Sequence, residues 1–175
     1  PEPVVKPAFI VVSGLPGTGK TYFCSKLAER LSVVILESDA LRKILFPSPS
    51  YSLLESSSLF QAVHRLIEEL LKKGVPVILD ATNLSERYRE RLYYIADRLG
   101  ARLILVRVEA PPEVVYERLK ARAEGTAPET NSKADWSVFQ KMKPTVQQIR
   151  RKHFAVDTSR DISTVLDKIT REANK

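Results

Sequence analysis

The chain has 175 residues, of which 43% are hydrophobic, and it carries a formal net charge of +7. That length fits one domain, 1–175, able to bury its own core, and the apolar content excludes a disordered chain. The single cysteine, Cys24, excludes an internal disulfide framework or a thiolate zinc site, and the positive charge favours polyanionic partners over an acidic surface.

The apolar runs are far too short to span a bilayer. The opening Pro1-Glu2-Pro3 lacks the basic stretch and long apolar core of a signal peptide. The expectation is a cytoplasmic protein with no membrane partner. The residues carry no sign of an oligomeric state.

Residues 8–13 form a continuous apolar run, the pattern of a strand buried on both faces. Gly14-Leu15-Pro16-Gly17-Thr18-Gly19-Lys20-Thr21 follows and satisfies G-x-x-x-x-G-K-[ST] between that strand and a helix predicted over 20–31. Glycines let the backbone curl around phosphate oxygens, and the N–H groups and helix N-terminus attract them. Lys20 is placed to reach the β- and γ-phosphates of ATP, and Thr21 to ligate Mg²⁺.

A second strand, 33–37, runs into Glu37-Ser38-Asp39-Ala40-Leu41-Arg42. Asp39 falls at the carboxyl end of that strand, and Arg42 shares its helical face. A carboxylate can take a hydroxyl proton while a guanidinium holds an anion of the acceptor. The bland alternative is a helix-capping Asp39 with Arg42 on the surface. A helix over 54–73 shows an apolar stripe and ends at Gly74.

Strand 75–80 closes on Val77-Ile78-Leu79-Asp80. An acidic residue at this edge suits Mg²⁺, directly or through water, or else caps the turn into Ala81-Thr82-Asn83. Helix 85–99 ends at Gly100. Arg87 and Arg89 in it face either an acceptor or solvent. Strand 102–108 leads to helix 112–124, where Arg118 and Arg122 share a face. They either supply charge to the γ-phosphate on a closing segment or form a solvated face.

The polar stretch 125–133 reads as a mobile loop. A helix over 134–152 follows, kinked or split by Pro144, with Trp136 as lid anchor or core residue. A short strand, 154–157, and a helix over 161–173 complete the chain. Asp157-Thr158-Ser159 between them forms either a nucleotide contact or a capping loop. Cys24, His64 and His153 read as structural. Alternating strands and helices predict an α/β fold with a parallel sheet.

Taken together, the Gly14–Thr21 motif, Asp39-x-x-Arg42, the block from Val77 to Asn83 and Arg118-x-x-x-Arg122 resemble polynucleotide 5′-kinases and the related zeta-toxin-like P-loop kinases. Gluconate kinase is a looser likeness. The resemblance covers about residues 8–160. It implies a P-loop NTPase fold: a three-layer α/β/α domain with a five-stranded, mainly parallel sheet and a helical lid at about 118–145. It implies ATP and Mg²⁺ as cofactors and Asp39 as general base. It further implies Arg42 and Asn83 toward the acceptor, Arg118 and Arg122 toward the donor, and Thr21 and Asp80 toward the metal.

The expected activity is transfer of the γ-phosphate to a hydroxyl, first at a nucleic-acid 5′ end and alternatively on a small molecule. Aromatic residues make up 7% of the chain, few for a base-stacking platform. An ATP-hydrolysing switch protein is the competing class.

Overall fold

The computed structural model describes residues 6–128 and 130–175. Five strands form one sheet: β1 (Ala8–Ser13), β2 (Val34–Glu37), β3 (Val77–Asp80), β4 (Arg102–Glu109) and β5 (Phe154–Asp157). The order is β2-β3-β1-β4-β5, and every pairing is parallel. Seven α-helices are present among the described residues: α1 (Lys20–Ala28), α2 (Ser38–Leu45), α3 (Leu53–Lys72), α4 (Glu86–Leu99), α5 (Pro112–Ala123), α6 (Trp136–Met142) and α7 (Ser163–Ala173). No helix is long and apolar enough to cross a membrane.

The two-residue period of β1 assigns its side chains to opposite faces. Phe9 and Val11 join Leu59, Val63, Ile67, Leu92 and Ala96 of α3 and α4. Ala8, Ile10 and Val12 join Phe23, Leu27, Leu166 and Ile169 of α1 and α7. All six residues of β1 are buried, so this strand is the spine of a three-layer α/β/α domain. Each fully buried Leu, Ile or Phe on these faces contributes about 1.5–3 kcal/mol.

Besides α1, which stops at Ala28 and not at 31, and small end shifts elsewhere, three elements depart from the sequence expectation. Strand β3 begins at Val77 and not at 75. Gly74 adopts φ +75°, and the amide of Val75 returns to the Leu70 carbonyl at 3.0 Å, so Val75 closes the preceding helix. Helix α2 had been legible only as the one-turn spacing of Asp39 and Arg42.

The third departure is the helix over 134–152, expected to kink or split at Pro144: only its first part forms, as α6. Asp135 caps a short α6 by accepting from the Val138 amide at 3.0 Å, and a 3-10 turn at Lys143–Thr145 follows, where Pro144 lacks a donor. Beyond it the chain is neither helix nor strand until β5.

That irregular stretch is held by Arg89. Its guanidinium is buried, pairs with Glu86 at 2.7 Å, and donates to the Gln147 carbonyl at 2.7 Å, the Gln148 carbonyl at 3.2 Å and the Asn83 carbonyl. Arg89 therefore faces neither solvent nor an acceptor. It ties the start of α4 to residues 147–148.

Candidate active site at the carboxyl edge of the sheet

Parallel strands bring their carboxyl ends to one edge, where β1, β2 and β3 deliver Gly14, Glu37 and Asp80. The registers Val12↔Asp80 and Glu37↔Asp80 put these positions side by side. The loop after β1 curls tightly. The Gly14 amide donates to the Thr82 carbonyl at 3.1 Å, and the Thr18 hydroxyl to the Leu15 carbonyl at 2.6 Å.

A Cβ on Gly14 would meet the Val108 carbonyl oxygen at 2.6 Å, and one on Gly19, at φ +89°, would meet Thr158 Oγ1 at 2.9 Å. Neither position tolerates a side chain without moving the loop. Lys20 Nζ lies across the loop, donating to the Leu15 carbonyl at 3.1 Å.

Thr21 Oγ1 donates to Asp80 Oδ2 at 3.0 Å, linking the start of α1 to the end of β3. A hydroxyl and a carboxylate oxygen are the donor set that Mg²⁺ prefers. Among the described residues there is no cluster of three or more His, Cys, Asp or Glu able to hold a metal. A cation that keeps waters and binds phosphate needs only one or two such ligands. The residues present therefore fit Mg²⁺ held jointly by protein and nucleotide.

The charges around this edge perturb one another. Burial lowers the Lys20 ammonium below its usual range, and Asp80 and Asp39 pull it partly back. Burial raises the Asp80 carboxyl, against the pull of Lys20 and the Thr21 hydroxyl, and Asp39 raises it further. Burial also raises Glu37, which accepts from Asn131 and feels Asp80 and Asp39. Burial lowers Arg122, Arg118 adds to that, and Asp39 opposes it. Lys20, Asp39, Asp80 and Arg122 thus lie within electrostatic reach of one another around the mouth of the loop.

Arg118 is placed differently. It donates to Thr158 Oγ1 at 2.8 Å, the Thr158 carbonyl at 3.2 Å and the Gly17 carbonyl at 3.3 Å. Thr158 Oγ1 in turn donates to the Thr18 carbonyl at 2.5 Å. Thr158, just past β5, therefore clasps the loop to α5. Its only sequence signal was its position after the last short strand. Val115, Leu119, Phe139, Trp136 and Leu15 form a small apolar cluster that seats α5 and α6 beside the loop. Trp136 bridges the two helices, edge-on to Tyr116 at 5.2 Å and stacked on Phe139 at 5.0 Å.

Arg42 does not open toward the cleft as its expected acceptor role suggests. Arg42 is buried, paired with Glu55, donates to Ser56 Oγ at 3.1 Å and lies over the Tyr51 ring at 4.6 Å. Burial pushes the Glu55 carboxyl up, but the Ser50 amide, Arg42 and the Tyr51 amide outweigh it and hold it low. Asn83, at φ +47°, donates its amide to the Val12 carbonyl at 3.1 Å. Cys24 is buried, which pushes its thiol up, in keeping with a packing role.

Residues 9–149 match the family model AAA_33, described as an AAA domain. The chain belongs to this family. It is 33% identical over 96 residues to a gluconokinase of Gluconobacter oxydans, an alignment covering 50% of this chain and 52% of that relative. The chain thus spans about half the length of that curated relative.

Among solved structures, a gluconokinase from Sinorhizobium meliloti superposes with TM-score 0.63 at 27% identity, over 96% of this chain and 90% of the other. Kti12 of Chaetomium thermophilum, in complex with ADP-AlF3, gives TM-score 0.75 at 21% identity, over 95% and 99%. These likenesses assign the fold to the P-loop kinases, a three-layer α/β/α architecture with an all-parallel sheet.

Proposed function

We propose that this chain transfers the γ-phosphate of ATP to a hydroxyl group of a bound acceptor. The observation that carries the proposal is the loop's geometry: Lys20 lies across it on the Leu15 carbonyl, and the Thr21 hydroxyl on Asp80 joins it to the end of β3, with the Asp39 carboxylate near enough to act on both Lys20 and Asp80. Phosphoryl transfer depends mainly on positioning and on charge around the migrating group, and this set supplies both signs of charge there.

Residues 14–21 would cradle the phosphates with their amides, and Lys20 would neutralise the β/γ oxygens. Thr21 and Asp80 would hold Mg²⁺, which when bound neutralises phosphate charge. Asp39 would take the proton of the acceptor hydroxyl. Arg122 would face the transferring group, and Arg118 would hold the loop's outer turn through Thr158. The segment from about 118 to 145 would act as the lid.

The burial of Arg42 against Glu55 favours a small-molecule acceptor over a nucleic-acid end, because the guanidinium that an acceptor phosphate would need is already engaged. The nucleic-acid 5′ end is the second reading, and the net charge of +7 supports it.

The test is incubation with γ-labelled ATP and a panel of 5′-hydroxyl oligonucleotides, sugars and nucleosides. Label is expected on an acceptor. Release of free phosphate alone, whatever is added, would identify a hydrolysing switch protein instead. Acceptor affinity that falls steeply with salt would restore the nucleic-acid reading.

A further inference from the structure

We propose that the cavity between α3 and α4 seats the acceptor and selects a neutral alcohol carrying an aromatic ring system. The inference rests on the phosphotransfer reading above and narrows its acceptor.

The cavity encloses about 210 Å³. Ser38, the residue before Asp39, lies in its wall, as do Thr82 and Asn83, which follow Asp80. The wall thus includes the chain neighbour of Asp39 and the segment that leaves Asp80, though neither carboxylate itself lines it. The remaining wall is built mainly from Phe60, Val63, Leu79, Tyr88, Leu92 and Met142. The Phe60 and Tyr88 rings stand 5.7 Å apart, tilted by 30°. A cavity of ~150 Å³ takes up a benzene ring, and drug-sized ligands need ~300 Å³ or more. The volume between these limits suits one ring system.

Charge narrows the class further. Among the described residues, no Lys, Arg, Asp or Glu lines the cavity. The two buried arginines of this half are both engaged: Arg42 by Glu55 and Ser56, Arg89 by Glu86 and three carbonyls. An anionic group entering the cavity would lose its hydration and find no counter-charge. His64 lines one side, and burial together with Arg91 disfavours its protonation. Hydroxyl, amide and imidazole groups remain to orient a neutral ligand.

The sequence holds one methionine, Met142, and it is part of this wall. Methyl-¹³C-methionine labelling therefore places one reporter at the cavity. The labelled protein, with Mg²⁺ and a non-hydrolysable ATP analogue, is titrated separately with thymidine, 2-phenylethanol, thymidine 3′-phosphate and gluconate. Thymidine and 2-phenylethanol should shift the Met142 methyl signal saturably. Thymidine 3′-phosphate should bind more weakly than thymidine, and gluconate should leave the signal unmoved.

Val63→Phe should fill the cavity and remove the shift. Tyr88→Ala, at an exposed helix position, should weaken the ring-bearing probes about tenfold. The inference is overturned if neither ring-bearing neutral probe moves the signal, if gluconate or thymidine 3′-phosphate binds tighter than thymidine, or if the Tyr88→Ala protein binds the rings as the wild type does. A parallel assay with γ-labelled ATP separates the two layers. Label on gluconate but on no ring-bearing alcohol leaves the kinase reading standing and sinks this one. Saturable ring binding with no transfer to any compound overturns the kinase reading, and with it the cavity's acceptor role.

Discussion

On one side of the cleft, residues 14–21 form a cradle from a single contiguous stretch, mostly of backbone. On the other, Asp39, Glu55, Asn83 and Arg89 come from four separate segments and act through side chains. The first wall is held through its carbonyls: Leu15 accepts from the Thr18 hydroxyl, Gly17 from Arg118 and Thr18 from the Thr158 hydroxyl. The second is held by two buried guanidinium networks that leave a mainly apolar hollow between α3 and α4. A wall made of backbone accepts whatever presents phosphates of the right geometry. A wall made of side chains can be rebuilt for a new acceptor without disturbing the first. The proposed division is donor chemistry on the P-loop side and acceptor choice on the α2–α4 side.

The strongest test of the division is Lys20→Ala. Its side-chain hydrogen bond is to the Leu15 carbonyl, within the loop itself. Phosphotransfer should disappear, followed by labelled ATP, while the melting temperature stays close to wild type. Normal turnover in a folded variant would remove Lys20 from the donor wall.

Asp39→Asn should fall next. Asparagine keeps the shape and loses the basicity, and removing a positioned acid–base group costs about 10²–10⁴-fold in rate. kcat should drop by that order while ATP affinity, measured by titration calorimetry, changes little. A kcat within a few-fold of wild type would move the base elsewhere. A large loss of ATP affinity would break the division itself, because it would place Asp39 on the donor side.

The two walls were also unequally legible in the sequence. The Gly14–Thr21 motif is local, so its spacing alone announced the cradle. The strands showed as apolar runs because parallel strands are buried on both faces. Helix α2 was harder to see, since its eight residues make only about two turns and two of its three large apolar positions, Ile44 and Leu45, are exposed. Arg42 and Arg89 looked like acceptor or solvent-facing residues because burial of a guanidinium depends on partners far along the chain, Glu55 for one and residues 147–148 for the other. Thr158 showed only as part of a loop after the last strand, and of the cavity wall only Leu79, Ala81, Thr82 and Asn83 belong to a motif. Phe60, Tyr88 and Met142 meet only after three helices have folded. Long-range side-chain placement is what periodicity and spacing do not encode.

Arg42→Leu sharpens the comparison further. If Arg42 serves the fold of the acceptor wall, its loss strands Glu55 and lowers the melting temperature by several degrees. The Michaelis constant of the acceptor should then change less than the stability does. If Arg42 instead grips an acceptor phosphate, the order reverses, with unchanged melting and a large rise in acceptor KM. Thermal melts and steady-state kinetics on the same preparation separate the two.

The smallest expected effect concerns His64 on α3. Burial and the nearby Arg91 lower its folded-state value below the ordinary 6.5, and Glu68 on its own helix only partly offsets them. Tyr88 shares the cavity wall from α4. The folded protein therefore binds this proton less tightly than the unfolded chain does. The sign follows from linkage: His64's share of stability is complete above pH 6.5 and is lost as pH falls from there through the folded value. Melting temperatures at pH 7.5 and 5.5 should differ by more in the wild type than in His64→Gln, where the titrating group is gone. A neutral ring in the cavity should deepen the wild-type difference, because it adds to the cost of protonating the imidazole. The donor wall should be indifferent, so ATP affinity at the two pH values should shift equally in both proteins. An ATP affinity that follows His64 would couple the walls and end the separation between donor and acceptor sides.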